Sequence, residues 1–263
     1  MSTNRDKMYI QYGDGMREDG RAASSRTTML EFHYTIRHLN GYITPDDRIL
    51  EVGCATGYYG MYYADKCREY VGIDICPAHI ELFRAKIEKS GLKNVSCQVG
   101  DATNLKVEDA SFDVVLCLGP MYHLPKEERT LVFAECSRVC KAGGILAFAY
   151  INKIGVYAGA CVHDSLRIKY PNPQANDFIL RQGVDDIKPD TFFFTTPEEM
   201  RESASKQGLK KLKNLATDFY IDAAVTDAMD DDKFKLFIEL YDHMTSHESC
   251  TGMSNHALLV CKK

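Results

Sequence analysis

The 263-residue chain is 45% hydrophobic and 26% charged, a balance that can bury a complete hydrophobic core. Its formal net charge of −5 argues against general binding to nucleic acid, which usually requires a basic face. No apolar run is long enough to cross a bilayer, and the polar N-terminal stretch lacks the hydrophobic segment of a signal peptide. We therefore expect a cytoplasmic protein that binds neither a membrane nor nucleic acid.

Ten cysteines are scattered along the chain without a C-x-x-C pair. Several of them, such as Cys117 and Cys136, lie within apolar segments, which is typical of free, buried thiols in a reducing compartment. His243 and His247 are one helical turn apart, but no third ligand accompanies them, so we expect a surface pair and no metal site.

The first predicted element is a helix in RTTMLEFHYTIRHLNG, where Phe32, Ile36 and Leu39 share one side and Gly41 follows the last turn. Arg21 and Arg26, in DGRAASSRT, could anchor an acidic substrate, but we expect them to be solvated in a flexible arm. From Arg48 to Ile151, strand and helix then alternate. The apolar runs are ILEV, EYVGID, NVSCQVG, FDVVLCL and GGILAFAYI. Strands that are apolar throughout and separated by helices indicate a parallel sheet covered on both faces.

Two amphipathic helices separate these strands with clear boundary signals. PAHIELFRAKIEKSG begins at Pro77, which suits a first helical turn, and is followed by Gly91. PKEERTLVFAECSRVCKAGG repeats the pattern from Pro125. Both predict helices of about four turns.

The regular alternation lapses over residues 152–195, which are rich in Pro, Asn, Gln and Asp. The segment is long enough to be a functional cover, and we predict a lid or substrate-binding insertion there. Thr196 then supplies a helix N-cap, with Glu199 completing a capping box. A strand within LKKLKNLATDFY, a helix in DDKFKLFIELYDHM and a strand in HALLVCKK complete the pattern.

The turn after the first strand, EVGCATG, is almost bare of side chains. Such a turn lets a ligand approach the backbone, with the next helix's dipole behind it. Two cofactors are bound in this way. ATGYYG is close to the G-x-G-x-x-G pattern of dinucleotides, whereas EVGCATG fits the looser acidic-x-G-x-(G/A)-x-G turn that binds S-adenosylmethionine. The turn alone leaves both alternatives open.

Acidic residues end the next two strands. Asp74 closes YVGIDIC, where a carboxylate can accept hydrogen bonds from both hydroxyls of a ribose. Asp101 and Ala102 follow the third strand, where an adenine could be read. The fourth strand ends in LGPMYHL.

These four motifs, in this order, resemble the class I S-adenosylmethionine-dependent methyltransferases, and within them the bacterial small-molecule group. The resemblance implies an α/β Rossmann-like fold with seven strands, mostly parallel, whose antiparallel last strand, HALLVC, lies between the fifth and the sixth. It also implies a cofactor, S-adenosyl-L-methionine, and eleven residues that bind it: Glu51, Gly53, Ala55, Gly57, Tyr59, Asp74, Ile75, Asp101, Ala102, Leu118 and Gly119. Alanine at position 55, where many relatives have glycine, should be tolerated provided the position does not need a positive φ.

The expected reaction is methyl transfer to a small molecule. His123 follows the fourth strand and is the candidate general base; Tyr122 and Tyr34 are the candidate substrate contacts. We expect a single domain over residues 1–263: a helical cap (1–47), a cofactor-binding core (48–151), the lid (152–195) and the remainder of the sheet (196–263). The alternatives are an RNA or protein methyltransferase, an NAD-linked oxidoreductase, and a cofactor-binding protein without turnover.

Overall fold

Seven strands form one sheet at the centre of the computed structural model, which describes residues 4–13, 18–163, 169–221 and 223–263. The strands are β1 (Arg48–Val52), β2 (Glu69–Asp74), β3 (Val95–Val99), β4 (Phe112–Cys117), β5 (Cys140–Ile151), β6 (Lys210–Ala216) and β7 (His256–Lys262). Their spatial order is β3-β2-β1-β4-β5-β7-β6. The order reverses at β1, so a crevice opens at the carboxyl ends of β1 and β4.

The strands from β3 to β5 pair in parallel, whereas β7 pairs antiparallel with both β5 and β6. In the register of the reversed strand, His256 lies opposite Ile151, and Ala257 opposite Ala216. The predicted fold, including the reversed strand between the fifth and the sixth, is confirmed.

Helices cover both faces of the sheet. Their bounds are α1 (Asn4–Tyr12), α2 (Arg26–Leu39), α3 (Tyr58–Tyr63), α4 (Pro77–Ser90), α5 (Lys126–Val139), α6 (Lys153–His163), α7 (Pro173–Ala175), α8 (Pro197–Lys206), α9 (Ala223–Asp227), α10 (Asp231–Ser246) and α11 (Glu248–Thr251). On one face, α5 and α8 contribute Phe133 and Met200 to the core. On the other, α2, α3 and α4 contribute Leu39, Tyr63 and Phe83.

The boundary signals in the sequence act as local chemistry requires. Thr196 and Glu199 form the reciprocal capping box at the start of α8. Gly91 ends α4 in the left-handed conformation, with φ 64°. Pro125 is the N-cap of α5, one residue before the helix itself.

The segment predicted as a lid is more regular than its composition suggests. It contains α6, α7 and a π-helical turn over Asn176–Gln182, and these pack around Tyr157, Ile179 and Phe194. Residues 164–168 of this segment lie outside the described residues, as do residues 1–3 and 14–17 of the predicted cap. Phe193 N–H donates to the Tyr122 carbonyl at 2.9 Å, which ties the segment to the end of β4.

All ten cysteines are free thiols, as the sequence predicts. Among the described helices, none combines the length and the apolar character that a membrane span requires.

Candidate active site

One pocket of about 510 Å³ runs along the carboxyl ends of the parallel strands. Its floor is formed by the residues that follow β1, β2, β3 and β4, and its walls come from α1, α2 and the segment around Phe192. His256, the first residue of β7, also lines it. This volume is within the range of cofactor and substrate pockets, and the location is where open α/β sheets bind ligands.

The turn between β1 and α3 donates most of its N–H groups within the protein. Gly53 and Cys54 donate to the Ile73 carbonyl at 2.7 and 3.1 Å, and Ala55 donates to Asp74 Oδ2 at 2.9 Å. The Gly57 N–H is bonded to the Cys54 carbonyl. A pyrophosphate needs N–H groups that point outward, so this turn is poorly suited to a dinucleotide.

Glycine is required at two positions of the turn. Gly53 has φ 78°, and a Cβ there would lie 2.5 Å from the Pro120 ring. Gly57 has φ 84°, and a Cβ would lie 2.0 Å from the Phe83 ring. Gly57 therefore serves packing at the start of α3 and does not line the pocket, unlike the role predicted for it. Alanine at position 55 was expected to be tolerated only if the position does not need a positive φ. Ala55 has φ 44°, so this condition is not met and the residue is strained.

Glu51 lies at the end of β1, 1% exposed, and lines the pocket. Its Oε2 accepts a hydrogen bond from the Tyr70 hydroxyl at 2.6 Å. Burial and, to a smaller extent, the nearby Asp74 carboxylate raise the pKa of Glu51 to about 8 against the opposing effect of the Tyr70 hydrogen bond. The carboxyl is thus mostly neutral at pH 7.

Asp74 ends β2 and fixes the turn that follows β1. In addition to its bond from Ala55, its Oδ1 accepts from the Cys76 N–H at 2.8 Å and contacts His79 Nδ1 at 3.2 Å. A carboxylate offers about four lone-pair sites, so it can accept a further hydrogen bond from a ligand. His79 also lines the pocket, and its Nε2 is buried without a hydrogen-bond partner among the described residues.

The remaining predicted cofactor residues also line the pocket: Gly53, Ala55, Tyr59, Ile75, Asp101, Ala102, Leu118 and Gly119. Asp101 Oδ1 accepts from the backbone N–H and the hydroxyl of Thr103, at 2.8 and 2.7 Å. Ten of the eleven residues therefore share one cavity, and only Gly57 stands apart.

His123 lines the pocket as predicted, but both its ring nitrogens are bonded. Nδ1 lies 2.9 Å from the Thr191 carbonyl, which can only accept, so Nδ1 carries the proton. Nε2 then accepts from the Tyr12 hydroxyl at 3.0 Å. Burial lowers the pKa of His123 to about 4, and the ring is neutral at pH 7. It joins α1 to the segment around Thr191 across the pocket.

The two predicted substrate residues lie in different parts of the structure. Tyr122 lines the pocket, with its hydroxyl donating to the Leu118 carbonyl at 2.8 Å. Tyr34 does not line it: the residue is completely buried, packs against Tyr241, and donates to Asp242 at 2.6 Å. The face of α2 that carries Tyr34 meets α10, whereas Glu31 and Phe32 point to the pocket.

A polar cluster on the β7 side of the pocket was not predicted. Arg21 lines the pocket and pairs with Glu31 and, at 3.4 Å, with Glu18, so it is not the solvated arginine expected from the sequence. His256 Nδ1 lies 2.9 Å from Asp218 Oδ2. Burial by itself would lower the pKa of His256, but the Asp218 and Glu31 carboxylates outweigh it and raise the pKa to about 9.

Glu31, Asp218 and His256 each offer one potential metal-ligand atom, and these atoms lie within 4.8 Å of one another, a spacing that would allow a cation to bind. The two carboxylates are nevertheless paired without one. Asp218 accepts from the backbone and ring N–H groups of His256, and Glu31 accepts from Arg21. Ion pairs within the protein therefore account for this cluster.

Residues 49–144 match the family model described as "Methyltransferase domain". The core of this chain is therefore similar to methyltransferase domains. One relative, a phthiotriol/phenolphthiotriol dimycocerosates methyltransferase of Mycobacterium leprae, is 36% identical over 129 residues, 47% of this chain and 45% of that protein. Another, a ubiquinone biosynthesis O-methyltransferase of Hahella chejuensis, is 33% identical over 109 residues, 41% and 45% of the two chains.

The chain thus spans less than half the length of these relatives. A solved structure, a SAM-dependent methyltransferase from Methanosarcina mazei, covers 86% of this chain and 96% of its own, with a TM-score of 0.57 and 18% identity. At that identity the likeness shows the fold of the methyltransferase domain and nothing finer.

Proposed function

We propose that this methyltransferase domain binds S-adenosylmethionine and transfers its methyl group to a small molecule held in the same pocket. One observation carries the proposal. A single cavity joins the acidic carboxyl ends of β1, β2 and β3 to a wall of aromatic and polar side chains on α1, α2 and β7. Cofactor and acceptor can therefore meet without leaving the protein.

The residues present fit the cofactor. The turn after β1 uses most of its N–H groups internally and so offers few donors to an anion, and the Glu51 carboxyl lies beside it to receive the ammonium of the methionine portion. Asp74 retains acceptor capacity for the ribose hydroxyls, and the unpartnered His79 Nε2 is a further polar contact. Asp101 and Ala102 flank the expected position of the adenine.

When bound, the cofactor supplies a methyl group already activated by its sulfonium. The protein's task is to orient the acceptor in line with the S–CH₃ bond and to exclude water, which can lower a barrier by about 7–11 kcal/mol. Tyr122 and Phe192 would flank the acceptor, while the Tyr12–His123 hydrogen bond holds α1 over the pocket. We assign His123 to positioning first, since both its nitrogens are bonded.

The alternative of an RNA or protein methyltransferase receives less support. Among the described residues that line the pocket, Arg21 is the one arginine or lysine, and it is already paired with Glu18 and Glu31, so the pocket lacks the cluster of cations that a phosphate backbone requires. Recovery of tRNA with the purified protein at physiological salt would revive that alternative. A protein that binds the cofactor without turnover is distinguished by a mass-shift screen, in which metabolites are incubated with isotope-labelled cofactor.

The decisive experiment is calorimetric titration with S-adenosylhomocysteine. We expect saturable binding by the wild-type protein and a loss of roughly 10- to 100-fold in affinity for Asp74→Asn, because bonds to a charged acceptor contribute about 1.5–3 kcal/mol. Asp101→Asn should weaken binding as well. The matched control is Asp46→Asn, an exposed carboxylate in the loop before β1.

Absence of binding by folded wild-type protein would overturn the proposal. Thermal protection by NADH but not by S-adenosylhomocysteine would select the oxidoreductase alternative instead.

A further inference from the structure

His256 occupies the far end of the pocket from the turn that follows β1. β7 is three strand positions from β1 in the sheet, through β4 and β5, which corresponds to about 14 Å. Tyr122 bridges the gap: its hydroxyl is bonded to the Leu118 carbonyl beyond β4, and its ring centroid lies 5.9 Å from that of His256. His256 is therefore on the acceptor side of the proposed reaction.

The imidazole of His256 is fixed in orientation. The ring Nδ1–H of His256 donates to Asp218 Oδ2, and the backbone N–H of His256 donates to Asp218 Oδ1 at 2.5 Å. Asn255 donates to Asp218 as well, at 3.1 Å, so the carboxylate is itself held in place. The opposite ring nitrogen, Nε2, has no hydrogen-bond partner among the described residues, although the residue lines the pocket.

The charges around this ring favour its protonated form. Asp218 and Glu31 face it as anions, and Arg21, which is paired with Glu31, is the opposing cation. The two carboxylates raise the pKa of His256 to about 9, although burial and Arg21 both act in the other direction. At neutral pH, Nε2 consequently presents an N–H donor with positive charge to the ligand.

We propose that the acceptor is a planar acidic hydroxyl compound, a phenol or an enol, which binds as its oxyanion with the ionised oxygen on Nε2–H of His256. This inference rests on the proposed methyl transfer. A charged N–H donor attracts an oxyanion and repels an ammonium group, which disfavours an amine acceptor. Aromatic side chains along the pocket, among them Phe32, Tyr122 and Phe192, provide flat apolar walls for a conjugated ring.

The chemical step then needs no base in the protein. A lone pair of the phenolate or enolate oxygen forms the O–CH₃ bond while the S–CH₃ bond breaks, and that bonding pair stays on sulfur. Sulfonium and oxyanion are converted into a neutral thioether and a neutral ether. His256 keeps its proton throughout, so its role is to hold the nucleophile ionised and in place.

The probe for this site is 4-nitrophenol, whose phenolate form absorbs visible light, added to protein loaded with S-adenosylhomocysteine. We expect the wild-type protein to bind the phenolate in preference to the neutral phenol. His256→Gln, which removes the charge, should weaken phenolate binding roughly tenfold or more. His243→Gln, an exposed histidine on α10, is the matched control and should bind as the wild type does.

Asp218→Asn is the second variant, in case His256→Gln does not fold. It keeps the imidazole but removes the main anion beside it, so phenolate affinity should fall while neutral phenol still binds. In NMR spectra of histidine-labelled protein, the His256 resonance should titrate at a pH well above the midpoint of an exposed histidine. In Asp218→Asn this midpoint should move to lower pH.

Two outcomes overturn the inference. Equal phenolate affinity in the wild type and His256→Gln would show that His256 does not hold the oxygen. Tight binding of Zn²⁺, lost in both His256→Gln and Asp218→Asn, would assign the cluster to a metal instead. Because S-adenosylhomocysteine binding is measured separately, its presence without phenolate binding removes only this inference, and its absence removes the proposed function.

Discussion

Replacing Glu51 with glutamine should change the stability of the protein in a way that depends on pH. Glu51 is buried, and its pKa is raised from 4.5 to about 8. A group whose pKa is raised by folding stabilises the folded state below its ordinary pKa, and this contribution is lost as the pH rises towards the folded-state value. Glutamine keeps an acceptor for the Tyr70 hydroxyl but has no proton to lose.

The size of the effect follows from the two pKa values. A difference of about 3.5 pH units, at about 1.4 kcal/mol per unit, amounts to about 5 kcal/mol. Between about pH 5 and pH 8, we therefore expect the unfolding free energy of Glu51→Gln to increase relative to that of the wild type by about 1.4 kcal/mol for each unit that the pH rises. Above about pH 8 the difference should level off, because Glu51 is then ionised in both states.

Urea unfolding followed by circular dichroism at a series of pH values measures this difference directly. Glu108→Gln, on the exposed loop before β4, is the matched control and should run parallel to the wild type. A gap between Glu51→Gln and wild type that stays constant with pH would refute the argument that burial keeps this carboxyl neutral.

The same carboxyl should release its proton when a cationic cofactor binds beside it. Near pH 7, binding heats for S-adenosylmethionine should then differ between buffers of high and low ionisation enthalpy. This dependence should vanish in Glu51→Gln, which should also bind more weakly. Identical heats in both buffers for the wild type would contradict the role proposed for Glu51.

Three further variants test individual positions. Ala55→Gly should raise the unfolding free energy by up to about 1 kcal/mol, because relief of left-handed strain (about 1–2 kcal/mol) exceeds the backbone entropy cost of glycine (about 0.5–1 kcal/mol). Thermal unfolding measures this change, and a Tm below that of the wild type would contradict the argument that Ala55 is strained. Gly57→Ala should destabilise by at least about 2 kcal/mol in urea, since the new Cβ would strike the Phe83 ring, and Phe83→Leu in the same chain should recover part of the loss. No recovery would mean that backbone strain alone accounts for the cost. Tyr34→Phe should lower the unfolding free energy by about 1 kcal/mol through loss of the hydrogen bond to Asp242. Its calorimetric affinity for S-adenosylhomocysteine should be unchanged, and a reduced affinity would indicate that Tyr34 contributes to the binding site after all.

The parts of the fold that sequence predicts well are those governed by local patterns. Continuous apolar runs predict buried parallel strands, and the Thr196 capping box and Gly91 set helix ends through contacts within a few residues. The floor of the pocket was predictable for the same reason. In a parallel sheet, the residue after each strand reaches one common edge, so Asp74 and Asp101 meet whatever the remainder of the chain does.

The polar cluster on the β7 side of the pocket was not predictable because it depends on contacts between distant segments. Asp218 and His256 are 38 residues apart, and neither lies in a recognisable motif. Glu31 reaches the pocket only because α2 packs against the sheet with one particular rotation, the same rotation that turns Tyr34 towards α10. Arg21, which precedes α2 in the chain, pairs with Glu31 there. Periodicity identifies which residues share a face of a helix, but not which neighbour that face will meet.

The reversed direction of β7 has a consequence for the chemistry this sheet can host. Parallel strands deliver side chains to the working edge from the loops that follow them, where backbone position is easily altered. An antiparallel strand delivers its opening residue, which is already hydrogen-bonded into the ladder opposite Ile151. The imidazole at 256 is thus carried by a strand that is paired with a neighbour on each side, while the surrounding walls belong to helices and connecting segments. A change in those walls would alter the shape of the ligand admitted while the position of residue 256 stayed set by its strand pairing.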